Sequence, residues 1–155
     1  MTLNAAIENI PDLFQRKWNC TGSVEIGGDT VTCPYAHGEQ DIESALANSC
    51  NCAFGELALE LGSETIVKTA QRLGVAGSLT LDGAATASGK IETAEAGSSD
   101  EAWLGIGQYT DLVTPYSMLR LCAAIANGGT AVTPTLAYGG VGGGTVLMDT
   151  ETAEY

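Results

Sequence analysis

"ANSCNCAFGELALELG", residues 47–62, sets two small polar residues that favour caps and turns, Ser49 and Asn51, directly ahead of an apolar repeat. Cys50, Ala53, Phe54, Leu57, Ala58 and Leu61 recur at i, i+3, i+4, i+7, i+8 and i+11, which predicts a helix with one buried face, and Gly62 supplies its stop. Upstream, "HGEQDIESALANS" (37–49) has acidic residues near a helix start and Ile42, Ala45 and Leu46 at helical spacing, so a shorter helix is expected to break at Asn48-Ser49. Ser49-Cys50-Asn51 therefore falls on a break between two helices, and two readings are open. A Ser or Asn there can simply cap the second helix by accepting an orphan backbone N–H. Alternatively, a hydroxyl and an amide held rigidly on the break can point into a cleft as a proton relay and a hydrogen-bonding clamp.

Outward from this stretch, Ser63 reads as the N-cap of a following helix with Ile66, Val67, Ala70 and Leu73 inward and Gly74 at its end. "CTGSVEIGGDTVTC" (20–33) has Gly27-Gly28-Asp29 between β-branched residues and reads as a hairpin whose ends are Cys20 and Cys33. In an oxidising compartment that pair would form a disulfide; in a reducing one both are small edge residues. Residues 75–113 read as irregular, with "SLTLDG" (78–83) as one short strand. "TPYSMLRLCAAIANGG" (114–129) predicts a helix capped by Thr114, with Pro115 in its first turn and Leu119, Cys122, Ile125 and Ala126 inward. Residues 137–155, with five glycines among 139–144, read as a flexible connector.

A chain of 155 residues with 45% apolar content fits one domain with one core, α-rich with little strand. Its net charge of -13 repels phosphate backbones and anionic lipid, so no nucleic-acid partner is expected. No apolar run approaches the roughly 18–20 residues of a membrane span, and no signal peptide is visible, so this stretch is expected to be soluble.

"SALANSCNCAFGELALELG" (44–62), "IGQ" (106–108), "TP" (114–115) and "AAIANGG" (123–129) resemble, in order and spacing, the transpeptidase domain of penicillin-binding proteins. That family carries S-x-x-K, S-x-N and K-[ST]-G motifs, and Ser49-Cys50-Asn51 stands where the second stands. "AAIEN" (5–9) looks like the end of the helix that begins with the nucleophilic serine, which places the nucleophile just upstream of Met1. No S-x-x-K is present, since Phe14, Thr65 and Ala87 precede Lys17, Lys68 and Lys90 by three. K-[ST]-G is absent too: Ala70 follows Lys68-Thr69, and Ser88-Gly89-Lys90 has the wrong order.

The resemblance thus implies an α+β fold: the mainly helical portion of a penicillin-binding transpeptidase or serine β-lactamase-like domain, with the hairpin at 20–33 and most of the catalytic sheet missing. It implies Ser49 and Asn51 as catalytic residues, Ser49 passing a proton and Asn51 holding the substrate's peptide backbone. Cys50 and Gln108 become candidate substrate-binding residues, although Gly105, Gly107 and Gln108 also read as a tight turn. No cofactor is implied. The parent would cross-link peptidoglycan stem peptides ending in D-Ala-D-Ala, be acylated by β-lactams, and sit on the extracytoplasmic face of a bacterial membrane. Lacking a nucleophile, this piece would be inactive alone and would need the remainder of the domain.

Two other readings compete. Cys20, Cys33, His37, Cys50 and Cys52 offer zinc ligands, but C-x12-C-x3-H lacks a close knuckle and Cys50 and Cys52 would lie about 200° apart on a helix, so no metal is expected. His37 has no nucleophile near it in sequence and reads as a loop residue. The other reading is a non-catalytic acidic helical module that binds a partner, or itself, through an uncovered apolar surface.

Overall fold

A computed structural model of the chain describes residues 1–136, 138 and 142–155. In chain order its elements are α1 (Thr2–Asn9), a 3-10 turn (Leu13–Gln15), β1 (Trp18–Cys20), β2 (Ser23–Ile26), β3 (Asp29–Thr32), β4 (Gly38–Gln40), α2 (Ile42–Ala47), α3 (Asn51–Leu61), α4 (Ser63–Arg72), β5 (Thr80–Leu81), β6 (Ala84–Ala85), α5 (Ser99–Ile106), α6 (Pro115–Ala126), β7 (Thr130–Val132), β8 (Gly144–Val146) and α7 (Thr150–Glu154). Among the described residues the strands pair in antiparallel twos, β1 with β4, β2 with β3, β5 with β6 and β7 with β8. Where the sequence suggests one domain, the chain divides into two compact units, residues 1–67 with 92–110 and residues 68–91 with 111–155.

The first unit is built around α3. Of its expected face Cys50, Ala53, Leu57 and Ala58 are buried and Phe54 and Leu61 partly so; Cys52 and Gly55 are buried too, because α5 packs along a second side. The approach is close: a Cβ on Gly105 would overlap that of Ala58, and one on Gly55 would stand 3.4 Å from Ala102 Cβ. α1 joins the same assembly, with Thr2 Oγ1 donating to Gly105 O at 2.7 Å and Ala6 buried against the α3 core. The hairpin forms in the register Ser23↔Thr32 to Ile26↔Asp29, turning through Gly27 and Gly28 at φ 61° and 87°. That turn sits on the start of α5, where Ser99 Oγ donates to Asp29 Oδ2 at 2.7 Å.

α5 itself corrects the reading of 75–113 as irregular. Eight residues with one glycine near the end and another just beyond it carry little helical signal, yet Ser98 caps the helix by accepting Glu101 N–H, and Gly107 closes it at φ 85°. Ser63 is also not the side-chain cap expected of it. Its N–H donates to Glu101 Oε1 at 2.7 Å while its own hydroxyl donates to Ala94 O at 3.0 Å. The acceptor for that helix start comes from a residue far away in sequence.

In the second unit, Thr114 caps α6 by accepting Ser117 N–H at 3.0 Å, with Pro115 in the first turn. The buried side is Ser117, Leu121 and Ala124, whereas Leu119, Cys122, Ile125 and Ala126, expected inside, face out. Both sets follow helical spacing; β7 and α7 pack against α6 and decide between them. The 78–83 strand forms as β5, paired with β6. The described part of 137–155 is structured rather than a connector: β8 pairs with β7, Leu147 and Met148 are buried, and Asp149 caps α7. Glycine's freedom does not stop these residues from closing a ladder. Ala137 and Gly139 to Val141 of that segment lie outside the described residues.

Candidate functional site

The break between α2 and α3 is one residue sharp. Ser49 takes the left-handed conformation at φ 51°, unusual for a residue with a side chain, while its N–H donates to Leu46 O and that of Cys50 to Ala45 O. Cys50 then becomes the extended N-cap of α3 and makes no side-chain cap bond. Asn51 does not cap either: its Nδ2 donates to Thr32 O at 2.7 Å, tying α3 to the hairpin. The capping account of this stretch therefore fails. Ser49 is exposed, and Ser49 and Asn51 share the wall of a cleft of about 290 Å³ with Thr2 of α1, Phe54 of α3, and Gly105 and Gly107 at the end of α5.

Of the two candidate substrate-binding residues, Cys50 is among those lining this cleft and Gln108 is not. Cys50 has no exposed surface, and its thiol lies 3.8 Å from Cys33 Sγ within the core. Gln108 is exposed, is not among the residues lining the cleft, and donates its backbone N–H to Trp103 O at 2.9 Å. Gly107 lines the wall instead, so the "IGQ" run works as a helix end.

All five cysteines are free thiols, so the Cys20–Cys33 disulfide is not formed. Cys20 lies in β1, opposite Gly38 of β4, and not in the hairpin, which starts at Ser23. Cys33 faces Cys50 and Cys52 at 3.8 and 3.5 Å. The spacing argument against a shared thiol and imidazole site also fails, because Cys50 is extended rather than helical and β4 returns His37 beside β1. One ligand atom from each of Cys20, Cys33, His37 and Cys50 lies within 4.8 Å of every other. Burial pushes the Cys20 thiol up, but the backbone N–H groups of His37 and Gly22, with Cys33 and the His37 side chain, outweigh it and hold it at about 6. Burial pushes Cys50 up to about 11 and Cys52 higher still.

A serine-x-asparagine turn between two helices, walled by the start of α1 and the end of α5, belongs to the transpeptidase class of fold, and solved structures agree. The D,D-transpeptidase domain of a peptidoglycan glycosyltransferase from Eggerthella lenta superposes with TM-score 0.82 at 21% identity over 98% of this chain and 43% of that one. A penicillin-binding protein (PBP2) from Helicobacter pylori, solved with MreC, gives 0.84 at 18% identity over 99% of this chain and 30% of its own. The profile of the penicillin binding protein transpeptidase domain matches residues 8–153, and the chain belongs to that family. Stage V sporulation protein D of Bacillus subtilis (strain 168) is 30% identical over 141 residues, which are 88% of this chain and 22% of that protein. The chain thus spans under half the length of these relatives.

Sequence reasoning missed Thr32, Glu101 and the convergence on Cys33. No local signal marks them, since each depends on a pairing of distant elements.

Proposed function

We propose that the chain is the mainly helical portion of a bacterial D,D-transpeptidase that cross-links peptidoglycan stem peptides through a serine acyl-enzyme and is acylated by β-lactams. One observation supports this most: the exposed Ser49 and the Asn51 amide share a cleft with the N-terminal turn of α1. That turn is where the family's nucleophilic serine and its lysine would adjoin. Ser49 Oγ, on a strained turn beside that end, relays the proton between the lysine and the attacking or leaving amine. The Asn51 amide orients the substrate's peptide backbone. With neither S-x-x-K nor K-[ST]-G, the chain by itself has no nucleophile and is inactive.

The remainder of the transpeptidase domain is the proposed cover for the outward face of the second unit, where Leu119, Ile125, Val132 and Val146 are exposed at 68, 45, 56 and 71%. The parent is proposed to be anchored at the extracytoplasmic face of the membrane; among the described residues no helix is long and apolar enough to cross it. Fluorescent penicillin tests the reading. It is expected to label the parent covalently and to leave this chain unlabelled. Labelling of this chain refutes the missing nucleophile. A parent inert to penicillin favours the second reading, an acidic interaction module using the same apolar face, and self-association of the chain would follow from that face.

A further inference from the structure

We propose that Cys20, Cys33, His37 and Cys50 bind one zinc ion as a closed structural site behind the Ser49–Asn51 turn. Four ligands at about 2.0–2.3 Å around a tetrahedral zinc stand roughly 3.5–3.8 Å from one another. Cys33 Sγ and Cys50 Sγ already lie 3.8 Å apart, and all four ligand atoms fall within 4.8 Å of each other. A disulfide, by contrast, needs sulfurs about 2.05 Å apart. The donor set of three thiols and one imidazole is one that zinc favours and that magnesium or calcium does not.

A second observation points to a ligand. His37 Nδ1 is cut off from water and has no hydrogen-bond partner, an arrangement that costs free energy unless something occupies it. Donors already face the sulfurs: Cys52 N–H points to Cys33 Sγ at 3.4 Å, the kind of outer contact that orients a metal ligand. Cys20 and Cys50 are 2% and 0% exposed, whereas Cys33 and His37 are partly buried, so the site lies at the edge of the core.

Binding is acid–base, not redox. Zinc takes three thiolates and a neutral imidazole, any thiol protons leave to solvent, and the site carries a net charge of one negative unit. With four protein ligands no position is left for substrate or water. The ion's effect on chemistry would be indirect, because Cys50 stands between Ser49 and Asn51 and a metal bond would fix the turn that presents them.

The test uses the 155-residue chain, prepared with reductant and then dialysed against zinc, and does not depend on acylation. Elemental analysis is expected to give one zinc per chain, and cobalt(II) to give the intense visible and thiolate charge-transfer bands of a tetrahedral sulfur-rich site. His37→Ala and Cys33→Ser should each weaken zinc binding by at least about tenfold, whereas Cys122→Ser, in the other unit, should leave it unchanged. A cobalt spectrum that stays that of the aqueous ion, whether or not the chain is folded by circular dichroism, overturns the proposal. So does a reduced chain that retains no zinc, or one that closes Cys33 onto Cys50 or Cys52 as a disulfide in the presence of excess zinc.

Discussion

The Asn51 side chain donates to the Thr32 carbonyl at 2.7 Å, so the residue that would hold substrate is itself held by the hairpin. One amide N–H is spent on structure, while the residue still lines the cleft. Asn51→Ala removes both roles, and they separate by magnitude. The lost hydrogen bond should cost about 1 kcal/mol in urea unfolding. In the parent, acylation by a β-lactam should slow by about 100-fold or more, as should Ser49→Ala with little change in Tm. Acylation that falls only as far as the lost stability explains would reduce Asn51 to a structural tie.

Glu101 joins the starts of two segments. Its carboxylate accepts Ser63 N–H at 2.7 Å and Gly97 N–H at 2.8 Å, and the residue is 2% exposed. Glu101→Ala leaves both N–H groups without this acceptor, that of Ser63 in a buried site and that of Gly97 at an exposed residue, for an expected loss of about 1–3 kcal/mol. Glu101→Gln keeps one acceptor and should lose less. Equal stability of all three proteins in urea would show that solvent reaches this site.

What the sequence makes legible divides by distance along the chain. The α3 repeat, the Gly27-Gly28 turn and the Thr114-Pro115 helix start each rest on residues within a few positions of one another, and all three form. The failures need a partner from elsewhere. Leu119 and Ile125 are as helically spaced as Leu121 and Ala124, and only β7 and α7 decide which set is buried. Cys20 looks like the end of the hairpin until β4 pairs with β1. Ser63 resembles a cap, but Glu101 accepts the N–H that needs one. For the site, position on the helix break was readable, whereas the left-handed Ser49 and the Thr32 bond were not, because backbone strain and long-range bonds leave no local pattern.

The crossing of α3 and α5 depends on Gly105, where a side-chain carbon would overlap Ala58 Cβ and press on the Phe54 carbonyl. Gly105→Ala should destabilise the chain by about 1–3 kcal/mol through overpacking. Ala58→Gly in the same chain removes the opposing methyl and should recover part of that loss, giving a coupling energy of at least about 0.5 kcal/mol in a double-mutant cycle. Strict additivity would mean the helices move apart to admit the extra carbon, and the shape of the cleft wall at Gly105 would change with them.

Asp111 makes stability depend on pH. Both carboxylate oxygens are buried without a hydrogen-bond partner, and burial pushes the group from its ordinary value near 3.8 up to about 6. A carboxyl whose folded value is the higher one binds more protons in the folded state. Its protonated form is therefore tolerated below about pH 4, and the chain loses stability as pH rises through 6, where the buried group must ionise. Asp111→Asn cannot ionise. Relative to the parent sequence it should be near neutral at pH 3.5 and more stable by about 1–2 kcal/mol at pH 7.5, a figure discounted for partial solvation of the site. Urea unfolding followed by circular dichroism at the two pH values measures the difference. If the variant's advantage is the same at both, the carboxyl is already hydrated in the folded chain and its burial carries no electrostatic cost.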